Sequence, residues 1–161
     1  MHNHIPRLRG FTLIEILVVL VIIGLMLTTV VIKAFPDERQ ILRQEADRLG
    51  LLLEQARDEA FVSGHSVAWT VQHQTYTFWR LNAERRWAPI AGNHTLRLRT
   101  LPATIRLTEL TINAVKVPVG EHLIFSPSGL NSSFVATLEL HAHRVHLIGD
   151  SAGRIQVKDE N

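Results

Sequence analysis

Apolar residues run almost without a break from Phe11 to Ile32, recur every third or fourth position from Leu42 to Ala60, and alternate in short segments after Ser66. The continuous run predicts a helix that is apolar on every side. Counted from Phe11 it rises about 33 Å, and its uncharged part, residues 16–32, rises about 25 Å at roughly 1.5 Å per residue. Either length can cross a bilayer core. In the second region Leu42, Ala46, Leu49, Leu53, Ala56 and Ala60 form one stripe, while Arg43, Asp47, Arg48, Glu54, Arg57 and Asp58 fall largely off it. That spacing predicts an amphipathic helix with one face free to pack on a sheet, or on the stems of neighbouring molecules. Pro36 can kink or interrupt the chain between the two helices. Asp37 and Glu38 suit a helix start, where the terminal partial charge favours carboxylates, and Gly64 suits the stop.

The third region reads as antiparallel sheet. Val67, Trp69 and Val71 alternate, as do Tyr76 and Phe78, and Ile124, Val135, Leu138 and Leu140 lie in segments bounded by polar or turn residues. Ser126-Pro127-Ser128-Gly129 has proline second and glycine fourth, the pattern of a type I turn joining residues 122–125 to 134–140. Residues 149–153, Gly-Asp-Ser-Ala-Gly, separate a strand over 144–148 from one over 154–157. Residues 83–121 carry Pro89, Gly92, Asn93, Pro102, Pro118 and Gly120 and predict a mixture of short strands and exposed loops.

One charge interrupts the first apolar run. Glu15 lies near the end of the expected membrane helix, where a carboxylate costs on the order of a few kcal/mol and is tolerated mainly with a partner. Residues 1–10 are short and polar, carry Arg7 and Arg9, and end in Gly10 directly against the apolar run. Secretory cleavage needs its small residue after the apolar core, whereas here it comes before. A cut after Gly10 would create a positive amino terminus on Phe11 at the depth of a neighbouring molecule's Glu15, and pairing would offset the desolvation of both. Phe11 and Glu15 are also four apart and share a helix face. The flanking arginines favour a cytoplasmic amino end, with the remainder on the other side of the membrane.

Gly10-Phe11-Thr12-Leu13-Ile14-Glu15 followed by an apolar helix resembles the prepilin motif of type IV pilins and type II secretion pseudopilins. The order FSPSG, alternating strand, then GDSAGRIQV is similar to the carboxyl-terminal region of the minor pseudopilin H family, GspH. The resemblance implies cleavage by prepilin peptidase between Gly10 and Phe11, methylation of the Phe11 amine, and Glu15 as the filament-assembly carboxylate. It implies an α+β, pilin-like fold: a long N-terminal helix, transmembrane then amphipathic, packed on a C-terminal antiparallel β-sheet or β-sandwich head. The expected parts are a leader over 1–10, a transmembrane helix over 11–35, an amphipathic stem over 36–64 and a periplasmic head over 65–161. The implied function is structural, in the tip region of a periplasmic pseudopilus that exports folded proteins, with growth powered by a separate cytoplasmic ATPase. The expected partners are other minor and major pseudopilins, prepilin peptidase, inner-membrane lipid and, as a candidate, secreted cargo. Loops within 83–121 are a reasonable surface for contacts with other tip subunits.

Charge and candidate chemistry narrow the alternatives. The chain of 161 residues has 17 Lys+Arg and 15 Asp+Glu, a balance that is even once Arg7 and Arg9 are removed. A nearly neutral head lacks the electrostatic footprint of nucleic-acid binding, and no nucleic-acid partner is expected. The clusters Arg80/Arg85/Arg86 and Arg97/Arg99/Arg106 read as solvated strand faces and loop tips. No cysteine is present, so thiol chemistry, disulfides and cysteine metal sites are excluded. His141, His143 and His146 with Glu139 suggest a zinc set, but on a strand His141 and His143 would share one face and His146 the other. Ser126 and Ser128 lack the strand–turn–helix context of a hydrolase nucleophile, and Asp150 has too few neighbouring carboxylates for calcium. No enzyme activity, metal or cofactor is expected. Two alternatives differ from the filament subunit of a secretion system. A DNA-binding type IV minor pilin of the FimT kind predicts a basic tail, whereas residues 157–161 are mixed and end acidic; an unprocessed membrane-anchored periplasmic binding domain predicts no cut after Gly10.

Overall fold

The computed structural model describes residues 12–34 and 37–160. The chain divides into two compact units, Met1–Pro36 and Asp37–Asn161. In the first, α1 spans Leu13–Ala34, and every described side chain from Thr12 to Met26 is exposed. Among the described residues no helix is long and apolar enough to cross a membrane. The span expected over residues 11–35 lies partly outside the described residues: Phe11 and Phe35 fall there, as do the side chains of residues 27–34. Pro36, the expected kink, lies outside them as well.

The second unit begins with α2, Glu38–Ser63. Asp37 caps it by accepting the Arg39 N–H at 3.1 Å, and Gly64 ends it at φ 69°, a left-handed conformation that suits glycine. All six residues of the expected stripe are fully buried. They pack on two antiparallel sheets. The first orders β3 (Trp87–Pro89), β2 (Thr75–Leu81), β1 (Val67–Gln72) and β7 (Leu123–Phe125), with β4 (Arg99–Thr100) also on β2. The second orders β10 (Ile155–Asp159), β9 (His143–Gly149), β8 (Phe134–Leu140), β5 (Arg106–Ile112) and β6 (Val115–Val117). α2 touches β1 and β7 of one sheet and β8, β9 and β10 of the other, so its apolar stripe closes a core shared by both.

The 126–129 turn forms, with the Gly129 N–H donating to the Ser126 carbonyl at 3.1 Å. It does not make a hairpin, because β7 and β8 belong to different sheets. The Asn131 side chain accepts the Ser126 N–H at 2.9 Å and its backbone N–H donates to Ser151 at 3.0 Å, which pins the crossing loop to the β9–β10 turn. Within residues 83–121 the structure contains more strand than the breakers suggest. The seven-residue β5 lies between β8 and β6 and buries Leu107 and Leu110. β1 also departs from simple alternation: Ala68 and Thr70 are buried beside Val67, Trp69 and Val71. Trp79, paired with Ala68, donates its indole N–H to the Thr70 hydroxyl at 2.8 Å and covers that second face.

Candidate functional site

The candidate assembly site begins at the first turn of α1. Glu15 is the third helical residue, and its backbone N–H donates to the Thr12 carbonyl at 3.0 Å and lies 3.4 Å from the Thr12 hydroxyl. Thr12 thus satisfies an N–H that the helix itself leaves open. The Glu15 side chain is exposed, at the end of the helix where the backbone partial charge is positive and a carboxylate is favoured. Gly10 and Phe11, the expected cleavage and methylation residues, lie outside the described residues.

In the second unit the polar side chains form separate local groups. Glu45, on α2, is buried and accepts from the Arg48 guanidinium at 3.1 Å; the same guanidinium donates to the Tyr76 hydroxyl at 3.2 Å. Burial raises the Glu45 carboxyl above its ordinary range, and the positive charges of Arg48 and then Arg99 oppose this. Burial also raises the Tyr76 phenol, against a bond from Arg48. One Glu45 oxygen and the Arg99 Nε are buried without a hydrogen-bond partner among the described residues. The sequence stripe reads straight past Glu45, because a carboxylate beside an apolar face ordinarily points to water; the signal that could have found it is the Arg48 one helical turn later.

The histidines do not converge. His141 is not on a strand, as the sequence parity assumes, but is the first residue of the two-residue β8–β9 turn, at φ 52°, and faces Glu38 at 3.1 Å. His146 lies 3.0 Å from the Thr137 hydroxyl. Among the described residues no metal-binding group of three or more His, Cys, Asp or Glu side chains forms. Asp150 accepts both the backbone N–H and the Nε of Arg154 at 2.9 Å, bonds that hold its carboxyl below the ordinary range and occupy both of its oxygens. Ser126 and Ser128 bond to each other at 2.8 Å. Of the arginines read as solvated, Arg80 pairs with Glu59 and Arg99 donates to the Thr95 carbonyl at 3.3 Å, and the Nε atoms of both are buried.

These bonds and ion pairs tie α2, the strands and the turns of the second unit to one another. The family described as "Prokaryotic N-terminal methylation motif" matches residues 6–31, a stretch that includes Gly10, Phe11 and Glu15. The family described as "Type II transport protein GspH" matches residues 45–157, from buried Glu45 to β10, more than half of the chain. The chain belongs to the GspH family. Type II secretion system protein H of Pseudomonas aeruginosa is 35% identical over 85 residues, covering 52% of this chain and 49% of that protein. Its counterpart in Aeromonas hydrophila is 30% identical over 104 residues, covering 63% of this chain and 56% of that protein. This GspH-family chain therefore spans about half the length of the curated relatives it matches. The minor pseudopilin EpsH of the Vibrio cholerae type 2 secretion system shares the fold, with a TM-score of 0.60 at 18% identity over 76% of this chain and 98% of that one. The solution structure of GspH from E. coli gives a TM-score of 0.55 at 16% identity over 75% and 89%. The α+β architecture expected from the sequence, a helix packed on antiparallel sheets, is the GspH fold.

Proposed function

We propose that this GspH-family chain is a structural minor pseudopilin of the type II secretion system. Prepilin peptidase cuts between Gly10 and Phe11, and the Phe11 amine is methylated. Residues 11–35 then hold the protein in the bacterial inner membrane as a single pass, residues 36–64 form the stem, and residues 65–161 form a periplasmic head at or near the pseudopilus tip. Glu15 is the assembly group. In a lipid-facing environment its carboxylate is costly alone, and the charged amine of Phe11 is the nearest chemistry that offsets that cost. The partners are the other pseudopilins, the peptidase, inner-membrane lipid and exported cargo, and the protein acts by assembly without a catalytic step of its own.

One observation carries this reading: the methylation motif and the GspH head occur in one chain, in that order, over residues 6–31 and 45–157. The intact mass and amino-terminal peptide of the protein from its native membrane test it. The expected product lacks residues 1–10 and begins at a methylated Phe11; an intact leader refutes the processing. Glu15→Leu separates cleavage from assembly. This variant should be processed normally and fail to enter the filament, and undiminished secretion would remove Glu15 from the assembly role.

A further inference from the structure

β10 is the last strand of its sheet and, among the described residues, pairs only with β9. Pairing parity decides which of its peptide groups are already satisfied. The β8–β9 turn places two residues between paired Leu140 and His143, so the odd-numbered residues of β9 bond to β8 and the even-numbered ones to β10. Two bonds at the ends of the ladder agree, from the Asp150 N–H to the Arg154 carbonyl and from the Glu160 N–H to the Arg144 carbonyl, both at 3.1 Å. The N–H and C=O groups of Ile155, Val157 and Asp159 therefore face the open edge. Their side chains lie on the α2 side of the sheet, where a Cβ added to Gly50 would come within 3.6 Å of Val157 and 3.7 Å of Ile155.

Gly50, Leu51 and Glu54 of α2, with Ile155 and Val157, line a cleft of about 280 Å³ along this edge. Leu51 is 67% exposed above it. At one end Arg43 ties Asp47 at 3.2 Å and Asp159 at 3.0 Å, one cation between two carboxylates. Towards the other end Glu54 enters no salt bridge among the described residues. The cleft thus combines unpaired backbone groups, an apolar centre and a net negative rim.

We propose that the free edge of β10 beside α2 accepts an extended peptide strand from a partner protein, with basic residues on either side of an apolar one. Such a strand bonds to the outward peptide groups of Ile155, Val157 and Asp159 and turns every second side chain toward α2. Asp47 and Glu54 are about 10.5 Å apart along the helix at 1.5 Å per residue. Positions i and i+4 of a strand are about 13 Å apart, so a basic-x-apolar-x-basic segment sets its apolar side chain against Leu51 and its bases near the acidic groups. The β10 edge of a second copy does not supply that pattern, and the chain's Arg39-Gln40-Ile41-Leu42-Arg43 segment is helical in α2. Antiparallel pairing of two β10 strands about Val157 would set Asp159 of one copy opposite Ile155 of the other, on the Glu54 side, acid against acid.

The test uses the full chain in detergent with the end-blocked peptide Thr-Lys-Thr-Val-Thr-Lys-Thr and a control carrying Glu in place of both Lys. The lysine peptide should slow amide exchange at Ile155, Val157 and Asp159, and the glutamate peptide should not. Glu54→Lys should weaken the lysine peptide about tenfold and admit the glutamate peptide, a reversal that general destabilisation would not produce. Val157→Pro removes an outward N–H without breaking the β9 ladder, so binding should be lost while the fold persists. If Val157→Pro disturbs the fold, the Glu54 charge reversal decides. No protection at about 1 mM peptide, equal binding of the two peptides, or edge protection that requires only a second copy of this chain overturns the proposal.

Discussion

The two helices of this chain share a backbone geometry and follow opposite rules of burial. In α1 the described side chains, apolar except for Glu15 in the first turn, are all exposed, Leu13 at 85% and Leu20 at 63%. In α2 a single stripe is apolar and is sealed by two sheets of the same unit, with Leu42, Leu49 and Leu53 fully buried. A helix that is apolar all round belongs in a membrane or a large core, whereas an amphipathic one needs only a surface to lie on. The comparison separates an apolar stripe that the fold itself covers from apolar side chains that stay exposed among the described residues.

The largest expected effect breaks the stripe. Leu53→Ala should lower the unfolding free energy of the second unit by about 2–5 kcal/mol, the cost of lost burial plus an incompletely collapsed cavity. Leu20→Ala in α1 should move it by less than about 0.5 kcal/mol. Urea titrations followed by the fluorescence of the three tryptophans, all in the second unit, would check both, and equal losses would erase the distinction between the helices. A smaller effect comes from adding atoms to the packed side. At Gly149 a new Cβ would fall 2.0 Å from the Phe134 ring, so Gly149→Ala should cost about 1–3 kcal/mol by overpacking. An unchanged thermal midpoint would mean that the ring has room to retreat.

The smallest effect sharpens the comparison through pH. Burial raises the folded-state Glu45 carboxyl above its unfolded value. Its contribution to stability is therefore fully present below the ordinary carboxylate range and is lost as pH rises through the higher folded value. Glu45→Gln cannot ionise. The stability difference, wild type minus variant, should fall across that window and level off above it. A difference that stays constant from acid to neutral pH would exclude desolvation as the dominant influence on this group.

These features were unequally legible in the chain. The α2 stripe, the Asp37 start and the Gly64 stop could all be read directly, because helix caps and 3.6-residue periodicity are local. β5 was hidden among proline and glycine signals, because its pairing with β8 joins residues distant in sequence. The His141 parity failed for a related reason: a two-residue turn takes that residue off the strand and removes the alternation on which the argument rested. Glu45 stayed out of view because its surroundings include residues far along the chain, such as Tyr76, whose hydroxyl shares the Arg48 guanidinium with it.

By itself the sequence determined the order of the parts, the apolar character of residues 16–32, the Gly10–Phe11–Glu15 motif, the buried face of α2 and the strand-rich remainder. Each follows from composition or a short repeat that neighbouring residues define. Only the tertiary structure decided that β7 and β8 enter different sheets, that Glu45 is buried beside Arg48 and Tyr76, and that β10 keeps an open edge beside Leu51 and Glu54. Strand pairing joins residues far apart in the chain, and the desolvation of a charge depends on which surfaces meet over it.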